Sequence, residues 1–202
     1  MTKVALIHQY KVTLIGPEPA IWRRIQIAAS STFWDLHVAI QDSMGWLDYH
    51  LHAFRTSARQ ADRYIGMPDG ANDSDVVASW KTAVTDHFKV PGDAMTYDYD
   101  FGDSWTHDIR LEAISIAESP STYPRCLAGR GACPPEDCGG VAGYNRLIQR
   151  LQAPNTEAYD ETVSWLSEHA KNYFPYRWDY FEPSDVTFAD AKRRLKKATS
   201  AQ

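Results

Sequence analysis

The fold is decided by the stretch Tyr97-Asp98-Tyr99-Asp100-Phe101-Gly102-Asp103-Ser104-Trp105-Thr106-His107-Asp108-Ile109-Arg110-Leu111. On both sides of its central Gly-Asp-Ser, aromatic or apolar residues alternate with polar ones, which is the period of a β-strand. We predict a hairpin with a three-residue loop over 102–104. In this register Tyr99 lies opposite His107. Because the loop has an odd length, the aromatic residues of both strands share one face of the sheet.

The sequence before this hairpin predicts a second hairpin that leads into a helix. Alternating residues over 8–15 and 21–27 flank a Gly-Pro-Glu-Pro turn. The helix begins after the capping residue Thr32 and ends at Gly45, a common C-terminal glycine. Arg23 falls on the apolar face of its strand, so we expect it to pair with a carboxylate or to lie at the sheet edge.

The order of the remaining elements predicts the fold class. Strands come first and helices later, which is typical of an α+β fold. We expect a mainly antiparallel sheet with a hairpin-then-helix start and with helices after the sheet toward the C-terminus, in one domain over 1–202. The predicted elements are a strand at 50–56, an irregular polar stretch at 57–80, a loop at 118–140, helices at 141–152, 156–169 and 188–198, and a basic helical tail over 185–202.

Composition limits the class of partner. The chain has 202 residues, 44% of them hydrophobic, and a formal net charge of −5. This length supports a core without metal or disulfide staples, and no apolar run reaches the ~20 residues of a membrane helix, so we expect no membrane partner. The negative charge argues against nucleic acid, although Lys192 to Lys197 form a basic stretch. Three cysteines, an odd number, argue against a secreted disulfide framework and favour a cytoplasmic location.

Five stretches of the chain occur together in one known family. They lie at 21–25 (Ile-Trp-Arg-Arg-Ile), 36–46, 50–54 (His-Leu-His-Ala-Phe), 97–107 (with Phe-Gly-Asp-Ser-Trp-Thr-His) and 123–140 (with Pro-Pro-Glu-Asp-Cys-Gly-Gly). Over about residues 7–182 the sequence resembles the plasmid pRiA4b ORF-3-like family of bacterial proteins. The resemblance implies a compact α+β fold and no settled reaction. Some members carry a transposon-resolvase label, but a serine resolvase needs a nucleophilic serine beside arginines and a basic helix-turn-helix, and this acidic sequence has neither.

Three cysteines and two histidines are candidate zinc ligands. Cys126, Cys133 and Cys138 are separated by six and four residues, a wider spacing than the two to four residues of a standard zinc knuckle. His50 and His52 point the same way if both lie on one strand. Thiolates and imidazoles would complete a tetrahedral site if the loop reached that strand. The alternative is three ordinary thiols and two hydrogen-bonded histidines, so no cofactor is certain and zinc is the candidate.

Carboxylates form two further candidate sites. Asp98, Asp100 and Asp108 share the non-aromatic face of the hairpin, where they either hold Mg²⁺ or Ca²⁺ or face solvent and bond within the turn. Glu136 and Asp137 lie between two prolines and two glycines ahead of a helix. That rigid loop serves either to contact a ligand or to form a stable corner of the fold.

These features support three functional hypotheses. The first is a non-catalytic module that binds a protein or a small ligand, because aromatic side chains with a few charged ones make good anchors. The second is a metal-assisted hydrolase, and the third is a nucleic-acid accessory factor that uses the basic tail. No nucleophile–base pair is recognisable, so no catalytic residue is named. The expected binding residues are His107, Trp105, Tyr99, Glu136, Asp137 and Arg23.

Overall fold

A computed structural model of the chain describes residues 4–56, 64–68 and 75–200. Within these residues one sheet contains eight strands, and four α-helices accompany it. The strands are β1 (Leu6–Leu14), β2 (Ile21–Ala28), β3 (His52–Thr56), β4 (Tyr64–Gly66), β5 (Val76–Ala78), β6 (Ala94–Tyr99), β7 (Trp105–Ile116) and β8 (Arg125–Arg130). The helices are α1 (Phe33–Met44), α2 (Gly140–Leu151), α3 (Glu157–Glu168) and α4 (Ala191–Ser200).

The strand order confirms the predicted fold class. Neighbours across the sheet run β5-β4-β3-β6-β7-β1-β2-β8. Every one of these pairs is antiparallel except β4 with β5, which is parallel. The chain opens with the β1–β2 hairpin followed by α1, and α2 to α4 come after the sheet. The fold is therefore α+β with a mostly antiparallel sheet.

The central hairpin has the predicted faces but a longer loop. Tyr97 lies opposite His107 and Tyr99 opposite Trp105, so the connection covers residues 100–104 rather than 102–104. The turn is closed by the Ser104 N–H, which donates to the Asp100 carbonyl at 2.6 Å. Because five is also an odd number, both aromatic sets stay on one face, where Tyr97, Tyr99 and Trp105 are fully buried.

Helix α1 covers this aromatic face. Thr32 and Asp35 form the capping box at its start, and Gly45 ends it with a left-handed φ of 91°. Its Phe33 ring packs edge-on against Phe54 of β3 with centroids 4.9 Å apart. Burial of an aromatic side chain of this size contributes roughly 1.5–3 kcal/mol. The buried apolar residues of α1 and of the sheet belong to one hydrophobic cluster.

The structure adds strands that the sequence did not predict. The predicted loop at 118–140 contains β8, which pairs with the outer edge of β2. This strand lacks an alternating pattern, and its backbone bonds to β2 make it extended. The polar stretch at 57–80 contains β4 and β5, while its segments 57–63 and 69–74 lie outside the described residues.

Two of the C-terminal helices begin later than predicted. Helix α3 begins one residue after the predicted 156, and the Thr156 side chain accepts the Tyr159 N–H at its start. Helix α4 begins three residues later than the predicted 188, and the Asp190 carboxylate accepts the Arg193 N–H there. No helix among the described residues is long and apolar enough to cross a membrane.

The predicted basic tail is packed onto α1. The indole N–H of Trp34 donates to the Ala191 carbonyl at 2.8 Å. The Arg194 guanidinium donates to the Asp42 carboxylate at 2.6 Å. One of the tail's basic side chains is therefore engaged within the fold.

Arg23 lies in the core, with 1% of its surface exposed. Its guanidinium donates to the carbonyls of Ser43 at 2.7 Å, Trp22 at 2.9 Å and Arg130 at 3.0 Å. The centroid of the Phe181 ring lies 3.7 Å from the guanidinium carbon. The prediction that Arg23 pairs with a carboxylate or lies at the sheet edge is therefore wrong. Strand β2 is an inner strand, and backbone carbonyls accept the hydrogen bonds of the side chain.

His107 also lies in the core, although the sequence proposes it as a binding residue. Its Nδ1 is 3.2 Å from the Tyr97 carbonyl, and Trp46 packs edge-on against the ring. Burial lowers the pKa of His107 to about 4, and the nearby Arg23 charge acts in the same direction. The imidazole is therefore neutral in the folded protein at neutral pH.

Replacing Arg23 tests its bonds to the three carbonyls. Arg23→Met leaves the buried Ser43 carbonyl without its donor, so we expect the free energy of unfolding to fall by about 2–4 kcal/mol. Arg24→Met is the matched control, because Arg24 points to the opposite face and pairs with Glu112 at the surface. That change should cost less than about 1 kcal/mol. The free energies of unfolding are measured by urea denaturation. Equal decreases in the two variants would contradict a stabilising role for the bonds of Arg23 to the backbone carbonyls.

The neutral His107 predicts a pH dependence of stability. In the unfolded chain its pKa returns to about 6.5, so below that pH the unfolded state binds a proton that the folded state does not. Stability should therefore decrease from about pH 6.5 to about pH 4, with up to about 3 kcal/mol due to this residue. His107→Gln should reduce that decrease in urea denaturation at a series of pH values. Burial also lowers the pKa values of His52 and His8, so part of the pH dependence of stability should remain in the variant. A variant with the slope of the parent protein would show that His107 is not the source.

Candidate metal centre

One histidine and three carboxyl groups meet at the end of the sheet where β6 turns into β7. The Nε2 atom of His50 lies 3.2 Å from Oδ1 of Asp137 and 3.5 Å from Oδ2 of Asp100. It lies 3.9 Å from Oε2 of Glu136. His50 precedes β3, Asp100 opens the β6–β7 loop, and the other two precede α2.

The turn after β6 positions Asp100. Its backbone adopts φ 55°, in the left-handed region that few residues other than glycine occupy. Its Oδ1 accepts the N–H groups of Gly102 at 2.9 Å and Asp103 at 3.2 Å. Those bonds fix the carboxylate and leave Oδ2 directed at His50.

Glu136 is held by the segment after α1 and by the hairpin. Its side chain is 0% exposed, and its Oε1 accepts the Leu47 N–H at 2.7 Å and the Tyr99 hydroxyl at 3.0 Å. Burial raises the pKa of Glu136, and those two bonds oppose the rise. Its other oxygen, Oε2, is buried without a hydrogen-bond partner and faces His50.

Asp137 forms the open side of the cluster. Its side chain is 57% exposed, and its backbone also takes a left-handed φ of 56°. The loop that carries it is fixed at both ends. The Trp46 indole N–H donates to the Pro134 carbonyl, and the Gly139 N–H donates to the Asp103 carboxylate.

Three residues of the cluster have ligand atoms close enough together to hold one metal ion. Bond lengths of about 2.1 Å give ligand–ligand distances of about 3.0–3.4 Å in octahedral or tetrahedral sites, close to the observed separations from His50. The buried His50 Nε2 makes no hydrogen bond. Carboxylates this close repel one another unless a cation or a proton lies among them. The ligand atoms of His50, Asp100 and Asp137 all lie within 4.8 Å of one another.

The predicted cysteine–histidine zinc set is not assembled among the described residues. His52 stacks on His37 with ring centroids 3.6 Å apart, and it does not join His50. The reason is local, since β3 begins at His52 and His50 is not part of its alternation. All three cysteines are free, and burial raises the pKa of Cys138 to about 12, so its thiol stays neutral.

The predicted binding residues divide between the cluster and the core. Glu136 and Asp137 belong to the cluster, and Tyr99 supports it by donating to Glu136. The core contains Trp105, His107 and Arg23.

The acidic face of the hairpin is divided as well. Asp100 joins His50, whereas Asp98 receives a 2.6 Å bond from Arg55 and Asp108 lies 3.7 Å from Arg110. The pairing of His50 with carboxylates is therefore not among the predicted sites. The only signal for it was that His50 and Asp100 both lie in motif-like stretches.

Comparisons with known proteins identify relatives of the chain. A family model described as plasmid pRiA4b ORF-3-like protein matches residues 6–186. An uncharacterized protein, y4hQ, from Sinorhizobium fredii (strain NBRC 101917 / NGR234) is 33% identical over 163 residues, which cover 80% of this chain and 81% of the relative. The crystal structure of a protein of unknown function, MM3350 from Methanosarcina mazei Go1, is similar with a TM-score of 0.77 and 37% identity, covering 92% of this chain and 100% of that one.

Proposed function

The chain belongs to the plasmid pRiA4b ORF-3-like family, and we propose that it is a ligand-binding protein whose ligand is a divalent metal ion. The protein ligands in this proposal are His50, Asp100 and Asp137. Glu136 lies behind them as a further ligand or as a buried counter-charge. The observation that carries the proposal is that two buried atoms, His50 Nε2 and Glu136 Oε2, face each other at 3.9 Å and neither makes an aligned hydrogen bond. Carboxylate oxygens of Asp137 and Asp100 lie 3.2 Å and 3.5 Å from the same Nε2.

The donor set favours a first-row transition metal ion. Imidazole nitrogen suits zinc and iron, while carboxylate oxygen suits manganese and magnesium, so a mixed set fits Zn²⁺ or Mn²⁺. Zinc therefore remains the candidate cofactor, with oxygen and nitrogen ligands in place of the predicted cysteines.

Metal-assisted hydrolysis is the second candidate function. With His50, Asp100 and Asp137 as its only protein ligands, a bound cation would keep an open coordination position, and Asp137 would lie on its solvent side. A metal ion with an open position can activate water. Binding comes first in this proposal because hydrolysis also needs a substrate site. A cytoplasmic location stays part of the proposal, and the docked Arg194 gives a nucleic-acid function little support.

Cation titration of tag-free protein tests the metal proposal. We expect one equivalent of Zn²⁺ or Mn²⁺ to bind in isothermal titration calorimetry. Asp137→Asn removes one negative charge and His50→Gln removes the imidazole nitrogen, so each should weaken binding by at least about tenfold. Asp137 is exposed, so its variant should keep the parent's denaturation midpoint.

Asp108→Asn is the matched control for these variants. Asp108 lies on β7 of the same hairpin but outside the cluster, so cation affinity should not change. Two results would contradict the proposal. One is the absence of stoichiometric binding by either cation. The other is binding that both donor variants keep at full affinity.

A further inference from the structure

A cavity of about 400 Å³ lies beside the candidate metal centre, at the pair of helices α2 and α3. Asp137 lines it and also approaches His50, so the cavity and the centre share this side chain. The volume is within the range of small-molecule sites. The other lining residues that matter here are Arg146, Leu147, Arg150 and Trp165.

The two arginines of the cavity differ in their partners. Arg150 lies 3.6 Å from the Glu161 carboxylate across the two helices. Arg146 is exposed, and it makes no hydrogen bond or ion pair with any residue in the described part of the chain. Its guanidinium lies next to Gly143 in the first turn of α2. The distance from Nη2 to the position that a Cβ atom on Gly143 would take is 3.7 Å. The guanidinium of Arg146, on the α2 side of the cavity, is therefore free to donate hydrogen bonds to a ligand.

The apolar wall of the cavity is formed by Leu147 and Trp165. Leu147 is buried, while the Trp165 indole is 37% exposed and packs edge-on with His169. An indole face of this kind binds aromatic or aliphatic groups. The polar and apolar walls together suit a ligand with a charged end and an apolar body.

Arg146 selects the charged end of the ligand, because its guanidinium has no protein partner and the planar fork of an arginine matches a carboxylate. With a divalent cation bound, the cation and Arg146 together balance the carboxylates of Asp100, Glu136 and Asp137. A ligand with a single carboxylate then adds only one negative charge.

Resting on the proposed metal centre, we propose that this cavity binds a small organic carboxylate. The ligand's carboxylate accepts from Arg146, and its apolar body packs on Trp165. Asp137 joins the two halves of the site as a ligand of the cation and a wall of the cavity.

Phenylacetate is the probe, with the cation titration performed first. Once the cation is bound, phenylacetate should bind. The factor by which phenylacetate raises the affinity for the cation should equal the factor by which the cation raises the affinity for phenylacetate. Arg146→Met should weaken phenylacetate binding at least about tenfold and leave cation affinity in the absence of phenylacetate unchanged. Arg110→Met is the control, because that exposed arginine lies on β7 and does not line the cavity.

A second pair of measurements tests the apolar wall. The parent protein should bind phenylacetate more tightly than acetate, and Trp165→Ala should remove most of that preference. Phenyl phosphate is the competing ligand, and its tighter binding would overturn the choice of a carboxylate. If the cation binds but Arg146→Met leaves phenylacetate binding unchanged, the cavity inference fails and the metal proposal stands. If no cation binds, both fail.

Discussion

The site depends on one buried carboxyl group, that of Glu136. Taking a carboxylate out of water costs several kcal/mol unless it is paired or hydrogen-bonded. Here Oε1 has two donors, the Leu47 amide after α1 and the Tyr99 hydroxyl on β6. These bonds tie three distant segments of the chain together. The second oxygen has no donor and faces His50, so the group that fixes the loop also directs negative charge into the cluster.

Much of the fold could be predicted because its signals are local. The alternation around the central turn predicts the buried aromatic face, and Thr32 and Gly45 predict the ends of α1. The exact register of the hairpin could not be predicted, since five-residue and three-residue loops preserve the same faces. Strand β8 was missed because its extended shape comes from pairing with β2, a distant segment with no periodic signal in β8 itself.

The residues of the site were easier to predict than their grouping. His50, Asp100, Glu136 and Asp137 were each candidates from the sequence, but they belonged to three separate hypotheses. Their convergence depends on left-handed backbone at Asp100 and Asp137 and on the start of β3 at His52. Sequence patterns do not report such single-residue geometry. The cysteines attracted attention through residue type alone, and burial keeps the Cys138 thiol neutral.

Anomalous diffraction from crystals grown with Mn²⁺ or Zn²⁺ tests the metal centre most directly. We expect one strong peak within about 2.5 Å of His50 Nε2 and of the Asp100 and Asp137 carboxylates. The Glu136 carboxyl should keep its bonds to Leu47 and Tyr99. A peak at the cysteines instead, or no peak beside His50 at saturating cation, would contradict a centre built from one histidine and carboxylates.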